Sequence, residues 1–82
     1  MARVEPAALR VLLAKNIRAT ARGRKVSLTA LADFGGVSRA QMFNILRCSS
    51  SATLDWIAKV AAALDVEPWQ LLAPRAARKD GR

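Results

Sequence analysis

Apolar residues recur along this chain three and four positions apart, and each group is bounded by residues that start or stop helices. Leu9, Leu12, Leu13 and Ile17 form the first stripe. They predict a helix from Pro6, a residue suited to the first helical position, to about Arg22, with Gly23 able to close it. Leu28, Leu31 and Ala32 supply the inner face of a second helix, from about Leu28 to Phe34. Ser27 is its N-cap, and Val26 and Leu31 occupy the two positions of a hydrophobic staple. Gly35-Gly36 ends it, one of the pair taking positive φ. The third helix runs from about Arg39 to Arg47. Ser38 and Gln41 match the S-x-x-Q capping box, with Val37 and Met42 as its staple. Met42, Ile45 and Leu46 share an inward face, which leaves Arg39, Ala40, Phe43, Asn44 and Arg47 outward.

Ser49-Ser50-Ser51 reads as a loop, and Thr53 caps a fourth helix that continues to about Leu64. Leu54, Ile57, Val60, Ala61 and Leu64 make that helix apolar over most of its circumference, which places it at the centre of a small bundle. Asp65-Val66 is a turn. Glu67-Pro68 opens a short fifth helix through Leu72, and Pro74 stops it. Strand-like alternation is scarce, so the expectation is an all-α bundle of five short helices. Residues 1–74 form the domain, and residues 75–82 read as a basic flexible tail.

Composition narrows the function. Eighty-two residues make one domain, without space for a separate catalytic or ligand-sensing unit. Apolar residues make up 52% of the chain, enough for a folded core. Lys and Arg number 14 against 6 Asp and Glu, a net charge of +8. Such a surplus serves solubility or attracts a polyanion, and the helical pair described above tips the balance to the polyanion. An anionic membrane surface would call for one long helix with bulky apolar residues opposite its charges. Arg10, Lys15, Arg18 and Arg22 fall on the outer face of the first helix, where solvation explains them as well as contact does. Arg22, Arg24 and Lys25 are denser and lie beside a loop, which suits phosphate contact. The single Cys48 forms no internal disulfide and fits a reducing, cytoplasmic setting. Neither a secretory signal nor a spanning helix is evident. The chain has no His, Cys48 has no evident base partner, and the carboxylates are scattered. No phosphate-cradling glycine loop or metal-ligand cluster is present, so enzyme, cofactor, metal and small-molecule roles are not expected.

Two short helices joined by Gly35-Gly36-Val37 can hold one helix so that its outer face enters a groove. In a basic chain such a helix-turn-helix points first to DNA. Arg39, at the first position of the third helix, can grip guanine O6 and N7 with two donors, or touch only phosphate. Asn44 can pair with adenine N6 and N7, or remain a solvated or capping residue. Ala40 can meet a thymine methyl group, or contribute helix propensity alone. Phe43 can contact thymine methyls or a sugar, or tuck into a neighbouring crevice. Ser38 and Gln41 combine capping with backbone contact. Arg47 meets a phosphate or the helix dipole. Trp56 and Trp69 can both be core, and Trp69, beside Leu71 and Leu72, can also anchor a dimer.

The order Leu31-Ala32, Gly36-Val37-Ser38-Arg39 and Ile45, followed by Leu54, Ile57, Val60-Ala61, Ala63-Leu64, Val66 and Leu71-Leu72, resembles the phage repressor and Cro type of helix-turn-helix domain, the XRE family. The resemblance covers about Leu9 to Leu72. It implies a compact five-helix lambda-repressor-like bundle and a transcriptional regulator that represses or activates by occupying an operator. It implies double-stranded DNA as partner, a homodimer joined through Trp69 and Leu72, and two half-sites about one helical turn apart. Base contacts would come from Arg39, Ala40, Phe43 and Asn44 on helix 39–47. The sequence departs from the family at Leu28, where Gln is frequent, and at Leu46, where a Glu often pairs with the first helix. Cys48 replaces a usual Gly, and Ser49-Ser50-Ser51 replaces an often basic loop. Backbone anchoring would then fall to Ser27, Thr29, Ser38, Gln41, Arg47, Ser49 and Ser50, with Arg22, Arg24 and Lys25. The competing reading keeps the scaffold but makes it a protein-interaction or non-specific nucleic-acid-binding module, with Leu28, the serine loop and Phe43 in its favour.

Overall fold

In the computed structural model, which describes residues 5–74, the apolar stripes meet in one core. Helix α1 spans Pro6–Gly23, α2 Leu28–Gly35, α3 Arg39–Leu46 and α4 Leu54–Leu64, and a 3-10 turn covers Pro68–Leu72. The described residues contain no strand. Four α-helices therefore stand where five helices were expected. Pro68 lacks an N–H, and Ala73, placed before Pro74, is extended at φ −90 and ψ 143. The stretch between the two prolines is too short to propagate an α-helix and settles as a 3-10 turn. The proposed tail, 75–82, lies outside the described residues.

The starts of the helices follow the sequence. Ser27 Oγ accepts from Ala30 N at 3.0 Å, Ser38 Oγ from Gln41 N at 3.1 Å, and Thr53 Oγ1 from Trp56 N at 3.0 Å. At α3 only the Ser38 half of the expected box forms. The reciprocal arrangement occurs at Glu67, whose N–H donates to Gln70 Oε1 at 2.8 Å.

All four α-helices end in one backbone motif. A residue in the left-handed region donates its N–H three positions back, and the next residue donates five positions back. The left-handed residues are Lys25, Gly36, Cys48 and Asp65, with φ of 59, 70, 63 and 60. Gly23 does not close α1; it is the last helical residue, and Lys25 makes the reversal two positions later.

Helix α4 buries Trp56, Ile57, Val60, Ala61 and Leu64 and packs on α2 and on the 3-10 turn. Its first residue, Leu54, is 80% exposed, so the helix is central but not enclosed all round. Helix α1 packs on α3 and on the 3-10 turn. Leu13, Ala14, Ile17 and Ala21 carry its buried face, while Leu9, one turn nearer the N-terminus, lies past the edge of the core at 39% exposure. Trp56 is core, and its indole N–H has no hydrogen-bond partner among the described residues.

The same face of α1 buries a polar side chain, Asn16, completely. Its Nδ2 donates to the carbonyls of Leu71 at 2.7 Å and Ala73 at 2.8 Å. Those bonds tie the 3-10 turn to the middle of α1. Both amide donors are thereby satisfied, whereas Oδ1 is buried with no partner among the described residues.

Candidate nucleic-acid interface

The turn between α2 and α3 is built from Gly36, Val37 and Ser38. Gly36 takes φ 70, a conformation that side chains resist, and Val37 N–H closes on Ala32 O at 3.0 Å. Ser38 then caps α3 directly. Met42, Ile45 and Leu46 are buried, which fixes the rotation of α3. Arg39, Ala40, Gln41, Phe43 and Arg47 are exposed on the other side, and Asn44 is half-buried. Phe43 keeps 38% exposure, so its ring is neither free nor tucked away. Leu46, at the position where an internal ion pair would sit, is 4% exposed and joins the core instead.

The polar groups on this face are already interconnected. Arg39 Nε donates to Asp33 Oδ1 at 3.1 Å and Arg39 Nη2 to Asp33 Oδ2 at 2.8 Å, a two-pronged ion pair across the turn. The hydrogen bond from Arg39 holds the Asp33 carboxyl below its ordinary pKa, with the Arg39 charge adding to the effect. Asp33 in turn raises the pKa of Arg39, chiefly through the same hydrogen bond. Arg47 Nη2 donates to Asn44 Oδ1 at 2.6 Å. Ser49 donates both N–H and Oγ–H to the Asn44 carbonyl, each at 2.9 Å.

The hydroxyls of Ser27 and Ser38 accept backbone bonds as caps, and each keeps its own proton for an outside acceptor. Ser49 spends its proton on Asn44. Ser50 is exposed, and Thr29 is half-buried on α2. At the serine loop it is Ser51 that meets a basic residue, accepting from Arg10 Nη1 at 3.4 Å.

The basic residues near the end of α1 divide. Arg22 lines a shallow crevice of about 210 Å³ with Arg18, Val26, Ser27 and Leu28, so both arginines stand beside the start of α2. Arg24 faces elsewhere: its Nη2 donates to Asp65 O at 3.4 Å, next to the end of α4. Lys25 is exposed at the left-handed position. A second crevice, of about 250 Å³, joins Ser38 and Gln41 of α3 to Thr53, Asp55 and Lys59 of α4. Asp33 and Lys59 were not singled out from the sequence, and Arg18 was read there as an outer-face residue of the first helix, solvated or in contact. Their positions depend on helix packing and on the folded turn, which local spacing does not reveal.

On the 3-10 turn, Trp69 is 65% exposed and Leu72 half-buried. Leu72 lines an apolar crevice of about 250 Å³ with Pro6, Leu9, Leu13, Leu54 and Ile57. Among the described residues no helix is long and apolar enough to cross a membrane.

Solved structures similar to the chain include three proteins described as regulators of transcription or of restriction-modification. The hypothetical transcription factor NHTF from Neisseria is 33% identical, over 95% of this chain and 91% of that one, with a TM-score of 0.81. The restriction-modification controller protein C.AhdI from Aeromonas hydrophila is 29% identical over 76% of this chain and 94% of its own, with a TM-score of 0.72. An HTH_3 family transcriptional regulator from Vibrio cholerae is 27% identical over 82% of this chain but only 38% of its own, with a TM-score of 0.77. No protein-family model and no curated protein matches the sequence.

Proposed function

Because the chain belongs to the phage repressor and Cro-like, or XRE, family of helix-turn-helix domains, we propose that it is a sequence-specific double-stranded DNA-binding regulator of transcription. The kinship with proteins described as a transcription factor, a controller and a transcriptional regulator supports the class of function. The observation that carries the reading is the exposed row on α3, with Arg39 at its start and Arg47 just past its end. Helix α3 enters the major groove, where Arg39, Ala40, Phe43 and Asn44 meet base edges. Ser27, Thr29, Ser38, Gln41, Arg47 and Ser50 meet the sugar-phosphate backbone, and Ser49, whose donors are held by the Asn44 carbonyl, does not. Arg22 and Lys25 add cationic anchoring, with Arg22 best placed because it stands beside Ser27, while Arg24 is turned to the end of α4. The domain acts as a homodimer through Trp69 and Leu72, without cofactor or catalysis.

Electrophoretic mobility shift across a salt series tests this. Binding should weaken steeply as salt rises, because contacts to phosphate release counterions. Selection from a random duplex library should enrich a palindromic site. Salt-independent binding or no enrichment rejects the proposal, and a stable protein complex with no enriched site would favour an interaction module. Sedimentation of the wild type and of Trp69→Ala tests the dimer; identical behaviour of the two would remove Trp69 from the interface.

A further inference from the structure

We propose that Asp33 is a positioning residue for base readout: its carboxylate holds Arg39 so that the remaining edge of the guanidinium addresses a guanine. The inference rests on the DNA-reading role given above and adds a residue and a base to it. A guanidinium has five N–H donors in a planar fork. Asp33 occupies the side edge, taking the Nε proton at Oδ1 and one Nη2 proton at Oδ2. The end edge stays available, with one N–H from each Nη. Two parallel donors at that spacing match the O6 and N7 acceptors of guanine.

Charge gives the arrangement a direction. Asp33 is the sole carboxylate between Glu5 and Asp55, in an otherwise basic stretch. It sits opposite the first residue of the proposed reading helix, away from the cationic patch of Arg18 and Arg22. A phosphate approaching Arg39 would be repelled by Asp33, whereas an uncharged base edge would not. The carboxylate therefore steers Arg39 from backbone to base. It also fixes a long, flexible side chain before binding, which reduces the ordering required when DNA arrives. Stability does not account for the pair: the two side chains are 59% and 52% exposed, and ion pairs in that setting contribute little to folding.

Site selection from a random duplex library, with the full chain as wild type, Asp33→Ala, Asp33→Asn and Arg39→Ala, tests the inference. Circular dichroism and urea midpoints verify that each variant folds. The wild type should prefer guanine at one position of each half-site, and Arg39→Ala should abolish that preference. Asp33→Ala should reduce it roughly fivefold, within the range spanned by one two-donor contact, while binding to unrelated DNA rises. Asp33→Asn, which keeps one acceptor, should fall between. An unchanged guanine preference in Asp33→Ala, with affinity raised equally for all sites, overturns the inference alone. So does a site whose pattern ignores Arg39→Ala. A wild type that enriches no duplex overturns the DNA-reading role and this inference with it.

Discussion

Helices α2 and α3 finish in the same backbone motif but close it with different chemistry. At the end of α2 the left-handed residue is Gly36, and the closing bond joins Ala32, fully buried, to Val37, packed against the core. The ends of α1 and α4 repeat the apolar pairing with Ala21 and Val26 and with Ala61 and Val66. At the end of α3 the left-handed residue is Cys48, and the closing bond joins Asn44 to Ser49. Three helix ends are thus sealed toward the interior, and the fourth is sealed with polar groups. The polar end belongs to the helix whose outer face is proposed to meet DNA. An apolar residue in place of Ser49 would keep the backbone bond to the Asn44 carbonyl but remove its second donor, the hydroxyl. The apolar turn at Gly36, by contrast, holds α2 and α3 at a fixed angle, which is what a reading helix requires.

Substitutions can break or sharpen that contrast. The largest effect is expected from Gly36→Ala. A Cβ at Gly36 meets nothing within 4 Å, so the penalty is conformational alone, about 1–2 kcal/mol of unfolding free energy. Urea titration followed by the fluorescence of buried Trp56 measures it; a cost near zero would mean that the turn can reverse without glycine. Val37→Ser gives α2 the polar ending of α3 and removes a half-buried aliphatic group. A loss of about 1 kcal/mol is expected in the same titration. Cys48→Gly moves the other way and gives α3 the glycine of α2. Relief at φ 63 outweighs the lost thiol packing, for a gain of about 0.5 kcal/mol. Ser49→Ala removes only the exposed hydroxyl bond to Asn44 and should cost about 0.3 kcal/mol. If it proves as costly as Val37→Ser, the polar ending is as tightly fixed as the apolar ones.

What the sequence made legible was local. Ser27, Ser38 and Thr53 cap helices three residues away, so their roles follow from spacing, and each forms as expected. The inward set Met42, Ile45 and Leu46 follows from helical period and is buried. Gly36 was readable as a reversal because glycine advertises positive φ. Lys25, Cys48 and Asp65 do the same without glycine, and only the five-residue spacing of alanine and valine marks two of those ends. Arg39 was readable as an outward residue, but its partner was not, because Asp33 meets it only after the turn folds. Leu9 and Leu54 continue apolar stripes past the edge of the core, an edge that periodicity alone does not locate. The segment after Glu67 carried helix signals at both ends, and its length decided against a fifth α-helix.

Least legible was Asn16, whose two acceptors lie 55 and 57 positions along the chain. One amide grasps carbonyls two residues apart, so it works like a peg through two holes. Sliding the C-terminal peptide by a single residue along α1 would withdraw both carbonyls at once and offer the peg a mismatched neighbour. The path of the backbone at Pro74 is thereby indexed to the middle of the first helix, and any strain applied from beyond that point is delivered to the heart of the domain and not to its rim.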